Sequence, residues 1–313
     1  MPELWSNIVF EHNDISVDFF RLDRAETIAK TYIEQSSPHL ITVKASLANL
    51  FHTPILDVMT SSSDRWKIAE FYGYEKDSIQ KLLGVKSRVP HLQELTLRRI
   101  ACTEECDAFE NAPSLKRLIL RDLLYDSVDS SGFQWNISML KLPWSQIMYL
   151  TLETAMPFTS FESILRWTSS LVSLDVQDLI LDVETTREKL STDIVDSITL
   201  PAATTLFIHG RYAAPILQPL NLPNLESLYI HFGRNVHPSI PDQSLGYIAD
   251  LIKRSSCIVR TLTISGTPDP MQVMGIIRAI PSLDKVRLNF EPESIQGSIF
   301  EMLHSIDNVH LTW

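Results

Sequence analysis

The sequence contains very little glycine and cysteine. Glycine accounts for only nine of 313 residues. This weighs against Rossmann-type and P-loop enzymes, because their phosphate loops need glycine where the backbone approaches the ligand closely. The three cysteines, Cys102, Cys106 and Cys257, are too few and odd in number for an extracellular disulfide framework. We therefore expect a reducing, intracellular compartment, either cytoplasm or nucleus.

Basic residues and long apolar runs are also scarce. Lys plus Arg number 27 against 38 Asp plus Glu, a net charge of −11, which argues against nucleic acid or an anionic membrane as the main partner. No run of about eighteen uninterrupted apolar residues occurs, so we expect no membrane-spanning helix. The chain is nevertheless 44% hydrophobic and only 21% charged, which allows a large core and excludes a disordered chain.

One short phrase recurs along the chain: a proline followed by Leu-x-x-Leu-x-Leu. Four clear copies begin at Pro90, Pro113, Pro223 and Pro281, and looser copies lie between them. Intervals of 22 to 34 residues separate the copies, a length typical of leucine-rich repeats. Aligned on the second leucine, the copies give Leu95, Leu118, Leu150, Leu174, Leu206, Leu228, Leu262, Val286 and Val309. We count about eleven repeats, which are degenerate in residues 1–89, at 40–45 and 66–71, and clearer in residues 90–313.

The repeated phrase predicts a β-strand, since both leucines of Leu-x-Leu point to one face. Helical patterns alternate with these strands at residues 25–35, 54–62, 76–86, 158–169, 243–255 and 270–280. The chain is therefore predicted to be α/β, a single domain over residues 1–313 that forms a right-handed leucine-rich-repeat solenoid with a parallel sheet on its concave face. No Asn ladder follows the strands, so we expect irregular curvature. Residues 125–132 and 185–196 are the best candidates for flexible insertions.

Several phrases resemble the leucine-rich region of the fungal F-box protein family. They are Leu-Trp-Ser-Asn-Ile at 4–8, Ser-Asp-Arg-Trp-Lys at 63–67, Leu-Pro-Trp-Ser-Gln at 142–146 and the repeated proline-leucine phrase. The resemblance implies the target-binding part of a substrate receptor of an SCF-type ubiquitin ligase, in which the F-box binds a Skp-type adaptor. The family's F-box lies upstream of the phrase that resembles residues 2–6, so we expect the box to be missing here. A fragment, a truncated gene model and a repeat protein that lost its box all fit this expectation.

The solvent-facing strand positions are the candidate binding surface, because the strands of a solenoid present an extended surface to partners. Strict alternation also places Thr96 and Thr263 on this surface. Arginines on neighbouring strands predict a positive patch suited to a carboxylate or phosphorylated target, and the aromatic residues are of the type enriched in hot spots. The candidate partner-binding residues are Arg98, Arg117, Arg121, Tyr149, Phe207, His209, Tyr229, His231 and Arg287. An ordinary solvated sheet face is the alternative.

Motifs of catalysis and metal binding are absent from the sequence. We find no Gly-x-Ser-x-Gly elbow, His-Glu-x-x-His pair, Walker loop or Cys/His constellation, so we expect no enzyme, cofactor or metal. His209 and His231 should lie one strand spacing apart, but no further ligand completes a site. The predicted function is a protein-interaction module. A stand-alone leucine-rich-repeat scaffold or regulatory protein unconnected to ubiquitin is the alternative.

Overall fold

The computed structural model describes residues 5–10, 19–47, 53–73, 78–100, 102, 104–123, 137–177, 180–181, 197–209, 215–232, 244–266, 270–290 and 310–312. Within these ranges the chain is a mixed α/β protein whose main strands are parallel. It divides into two compact units, an N-terminal unit (Met1–Ile147) and a C-terminal unit (Met148–Trp313). The predicted segments at 125–132 and 185–196 lie outside the described residues.

The N-terminal unit contains a sheet whose parallel strands follow one another in chain order. They are β1 (Asn7–Phe10), β2 (Ile41–Ser46), β3 (Trp66–Tyr72), β4 (Glu94–Arg98) and β5 (Arg117–Arg121). Helix α1 (Phe19–Gln35) precedes β2 and helix α2 (Thr53–Ser61) precedes β3, as the sequence predicted. Short 3-10 helices occupy Ser63–Arg65, Ser78–Val85, Ile137–Met139 and Trp144–Gln146. The helix predicted over 76–86 is thus a 3-10 segment, and it includes Gly84, a poor α-helix former.

The C-terminal unit repeats this organisation. Its main parallel strands are β6 (Tyr149–Glu153), β8 (Ser173–Gln177), β11 (Thr205–His209), β13 (Ser227–Phe232), β14 (Thr261–Gly266), β15 (Lys285–Phe290) and β16 (His310–Thr312). Two short parallel ribbons pair β7 (Ala155–Met156) with β9 (Ile180–Leu181) and β10 (Ile198–Thr199) with β12 (Leu220–Asn221). The helices are α3 (Phe158–Trp167), α4 (Ser244–Ser255), α5 (Pro270–Ala279) and the 3-10 segment Pro215–Leu217. The predicted helices at 158–169, 243–255 and 270–280 are confirmed, and α5 begins at Pro270.

The register of the strands follows the leucine alignment within each unit. Leu95 pairs with Leu118 in the N-terminal unit. In the C-terminal unit, one continuous row joins Leu150, Leu174, Leu206, Leu228, Leu262 and Val286. The last predicted copy is wrong, because Leu311 rather than Val309 pairs with Val286. Val309 and Leu311 are two positions apart, so a period-two pattern could not distinguish them; Val309 itself lies outside the described residues.

The core lies on the leucine side of the strands. The leucines of the two rows, from Leu95 to Leu118 and from Leu150 to Leu262, are at most 1% exposed, and each such burial contributes about 1.5–3 kcal/mol to folding. Trp66 and Trp144 are also buried. Thr96 (5% exposed) and Thr263 (9% exposed) were predicted to face solvent, and this is wrong. Both are short side chains between longer neighbours on adjacent strands, which shield them from water.

Long polar side chains bind backbone carbonyls of the preceding repeat, where a regular leucine-rich repeat would use an Asn ladder. The Arg65 guanidinium donates hydrogen bonds to the carbonyls of Ile33 (2.9 Å) and His39 (3.3 Å) at the end of α1. The Arg254 guanidinium donates to the carbonyls of Leu217 (2.7 Å) and Leu220 (2.9 Å). These contacts satisfy carbonyls that helix and turn ends leave without partners. In both cases a side chain that lies before one strand is bonded to backbone that lies before the previous strand.

Candidate functional site

The open face of each sheet carries the side chains that alternate with the buried leucines. In the N-terminal unit, Arg98 lies between Tyr72 and Arg121 on the neighbouring strands. Its Nε donates a hydrogen bond to Asp122 Oδ2 at 3.0 Å, and its guanidinium carbon lies 5.4 Å from the centre of the Tyr72 ring. Asp122 follows β5 with a φ of 44°, a left-handed conformation that asparagine and aspartate tolerate. Arg98 is thereby held by an ion pair and a cation–π contact.

Two arginines of the predicted patch form ion pairs with carboxylates. Arg117 Nε lies 3.3 Å from Glu94 Oε2 on the adjacent strand, and Arg98 is paired with Asp122. Arg99 adds a further guanidinium beside Arg98, since its guanidinium carbon lies 5.6 Å from the centre of the Tyr72 ring. The structure thus brings Arg98, Arg117 and Arg121 together on adjacent strands as one arginine cluster, with Arg98 and Arg117 in ion pairs.

The open face of the C-terminal sheet is ordered into three rows across the strands. The hydroxyl row contains Ser173, Thr205, Ser227 and Thr261, with Tyr149 at one end and Lys285 at the other. The aromatic row contains Asp175, Phe207, Tyr229, Thr263 and Arg287. The histidine row contains Gln177, His209, His231, Ser265 and Asn289. Parallel pairing in register therefore sorts chemically similar side chains into lines perpendicular to the strands.

Phe207 and Tyr229 form the centre of the aromatic row. Their rings are stacked, with centroids 4.2 Å apart and an angle of 15° between the planes. Both side chains are half-buried, so part of the apolar pair contacts solvent. Tyr149, the third aromatic candidate, lies in the hydroxyl row and is separated from Phe207 by β8. The stacked pair is therefore the central aromatic surface among the described residues of this face, with Tyr149 apart from it.

The two histidines lie side by side, as their register predicted, with ring centroids 5.5 Å apart. His209 Nε2 is 3.5 Å from Asp175 Oδ1, and Gln177 Nε2 donates to Asp175 Oδ2 at 2.7 Å. His231 Nδ1 shares a hydrogen bond of 2.9 Å with Ser265 Oγ. The contacts made by Asp175 and Ser265 were not predicted from the sequence. These contacts hold both rings in place on the sheet.

Charge is unevenly distributed across this face. Glu153 and Asp175 supply negative charge on β6 and β8. Lys285 and Arg287 supply positive charge on β15. Arg287 is exposed, and its neighbours on the adjacent strands are Thr263 and Thr312, neither of which is charged. The face is therefore acidic on one side of the aromatic stack and basic on the other.

A shallow groove lies in the N-terminal unit, at the turns that precede the strands. Its volume is about 470 Å³. The groove is lined by three prolines, Pro90, Pro113 and Pro143, and by Glu110, its one titratable residue. Gln146 also lines it, and its side-chain amide donates a hydrogen bond to the carbonyl of Ala112. The groove offers no pair of groups for acid–base or nucleophilic chemistry.

The cysteines are buried free thiols. Cys102 and Cys106 do not align on a helix, because the Cys106 backbone is extended and pairs with Leu140. Burial raises the pKa of the Cys106 and Cys257 thiols above the ordinary value, since desolvation disfavours the thiolate. Neither thiol is poised as a nucleophile.

Clusters of metal ligands and membrane-spanning helices are both absent from the described residues. In that part of the chain, no three His, Cys, Asp or Glu side chains come together as metal ligands. No described helix is long and apolar enough to cross a bilayer. No family model matches the sequence, and no curated protein matches it either. The open faces of the strands are therefore the features from which a function can be inferred.

Proposed function

We propose that this chain is a protein-interaction module, an irregular right-handed leucine-rich-repeat solenoid that binds a partner protein on the open face of its strands. Parallel strands in chain order at repeat-length intervals support the solenoid, since such crossovers are almost always right-handed. The single domain over residues 1–313 remains part of this proposal. Binding requires no cofactor and no catalytic step.

The observation that carries the proposal is the stacked Phe207–Tyr229 pair on an open sheet face. Apolar rings that contact water gain free energy when a partner covers them, and aromatic residues dominate interface hot spots. His209 and His231 add hydrogen-bonding groups beside the rings. Strands hold all four side chains in fixed positions, so little conformational entropy is lost on binding.

The sequence phrases shared with fungal F-box proteins support a more specific role. We propose that the solenoid is the target-binding part of an F-box-like substrate receptor of an SCF-type ubiquitin ligase, acting in the cytoplasm or nucleus. A Skp-type adaptor would join only through an F-box encoded upstream of this sequence. The arginine cluster, the aromatic and histidine rows and Tyr149 would contact the target protein.

Affinity capture from cell lysate tests both levels of the proposal. The chain and a version extended upstream to any F-box in the reading frame are compared by mass spectrometry. Adaptor and cullin captured only by the extended version support the ligase role. Their absence from both captures, with another partner shared, would replace the ligase role with a stand-alone scaffold.

A double variant, Phe207→Ala with Tyr229→Ala, tests the binding face in the same experiment. The matched control is Ile258→Ala with Met271→Ala, which removes apolar side chains that are 58% and 65% exposed and lie in the same unit but outside the sheet. We expect the face variant to lose the partner and the control to retain it. Retention by both variants would contradict binding at this face.

A further inference from the structure

Small side chains of the hydroxyl row lie beside the bulkier rings of the aromatic row, and we call these two parts of the face the shelf and the wall. The shelf consists of the small side chains Ser173, Thr205, Ser227 and Thr261, all partly exposed on consecutive strands. The wall is the adjacent Phe207–Tyr229 stack. Each hydroxyl can both donate and accept a hydrogen bond, which is what a peptide backbone requires of a surface that it crosses.

The charges at the two ends of the aromatic row are opposite. Asp175 lies at one end on β8 and Arg287 at the other on β15. Four strand spacings of about 4.8 Å separate them, a distance of about 19 Å. An extended peptide rises about 3.3 Å per residue, so five or six residues span the same distance.

We infer that the shelf holds an extended peptide segment of the partner protein, which lies across the strands. The segment has a basic side chain near Asp175 and an acidic side chain near Arg287, and these two peptide residues are five or six positions apart. The peptide backbone contacts the hydroxyl row, and a flat or apolar side chain between the two charges packs against the Phe207–Tyr229 wall. This inference rests on the proposed function, because it specifies the partner of the same face.

Charge complementarity favours this occupant over a uniformly acidic target. Asp175 Oδ2 accepts one hydrogen bond from Gln177 Nε2, and Oδ1 lies 3.5 Å from His209 Nε2, so this carboxylate forms the negative end of the row. Lys285 and Arg287 pair with Thr261 and Thr263 on β14, and neither threonine carries a charge. A peptide with one charge of each sign matches both ends, whereas a phosphopeptide matches only the β15 end.

Selection from a phage-displayed library of random dodecapeptides tests the inference with the full chain as bait. We expect enriched peptides to carry a basic and an acidic residue five or six positions apart, with an aromatic or apolar residue between them. Thr205→Arg with Ser227→Arg fills the shelf, so this variant should lose at least tenfold in affinity for a selected peptide while its melting temperature stays close to that of the wild type.

Arg287→Glu should weaken the selected peptide about five- to tenfold, and replacing the acidic residue of the peptide by lysine should restore binding. The matched control is Arg278→Glu, the same charge change on an exposed residue of α5, which should leave affinity within twofold. Enriched peptides without the charge pair, or with unchanged affinity for Arg287→Glu, would overturn the inference. The inference would also be overturned if no peptide were enriched on the wild-type chain relative to the variant Thr205→Arg with Ser227→Arg.

The two proposals fail in different ways. If partner capture is lost in the Phe207→Ala and Tyr229→Ala variant while peptides show no charge pairing, the face binds a partner but the peptide inference is wrong. If neither capture nor peptide binding responds to changes on this face, both proposals are wrong.

Discussion

Replacing Leu118 by alanine tests the alternation that defines the repeat. Leu118 lies in β5 with no exposed surface, and its Cα pairs with that of Leu95. Removing three side-chain carbons costs about 2.4 kcal/mol at about 0.8 kcal/mol per carbon. The cavity left between strands adds to this, so we expect the free energy of unfolding to fall by about 3 kcal/mol.

Ile119→Ala changes the next residue, which is half-exposed on the open face. It leaves no cavity and should cost about 1 kcal/mol.

Guanidinium denaturation followed by circular dichroism measures both losses in the same strand. We expect a lower midpoint for Leu118→Ala than for Ile119→Ala, with the slope of the transition unchanged. Equal losses, or a larger loss for Ile119→Ala, would refute the assignment of Leu118 to the core and with it the register of β5.

Further predictions concern backbone conformation, repeat stacking and thiol ionisation. Gly266→Ala should lower the free energy of unfolding by about 2 kcal/mol, because the φ of Gly266 is 92° and a Cβ there would overlap the Phe232 backbone. In Gly246→Ala, in α4, the added Cβ meets no atom within 4 Å, so this variant should be more stable by about 0.5–1 kcal/mol. Thermal melts compare the two variants, and equal shifts of the melting temperature would contradict the β14 geometry. Arg254→Met should cost about 1–3 kcal/mol by leaving two part-buried carbonyls without donors, as chemical denaturation would measure. The pKa of the Cys106 thiol is raised in the folded state, so its contribution to stability is present below the ordinary thiol pKa of about 8.5 and is lost as pH rises above it. Wild type should therefore lose more stability than Cys106→Ala between about pH 8.5 and 10, and parallel pH profiles would contradict a buried thiol.

The strands and their register were predictable because the leucine phrase carries both the strand period and the repeat length. One alignment column predicted the row that runs from Leu150 to Val286. Helices were predictable where a full apolar stripe exists, as in α3, which buries Phe158, Phe161 and Ile164. Strand β1 was missed, since Asn7–Phe10 is short and belongs to no recognisable copy of the phrase.

The electrostatics of the candidate site were not predictable from alternation. Asp122 lies beyond the end of β5, and only its left-handed backbone brings its carboxylate to Arg98. Asp175 contacts His209 diagonally across two rows, a contact that a one-dimensional pattern does not encode. Alternation assigned each side chain to a face, but turn geometry and side-chain length determined its partners.

The central claim is that the Phe207–Tyr229 face binds a partner protein. The most direct measurement is isothermal titration calorimetry of a captured, purified partner against wild type, Phe207→Ala with Tyr229→Ala, and the exposed-residue control. We predict at least a thirtyfold loss of affinity for the face variant, equivalent to about 2 kcal/mol, with the control within twofold of wild type. Equal affinities for all three proteins would contradict the claim.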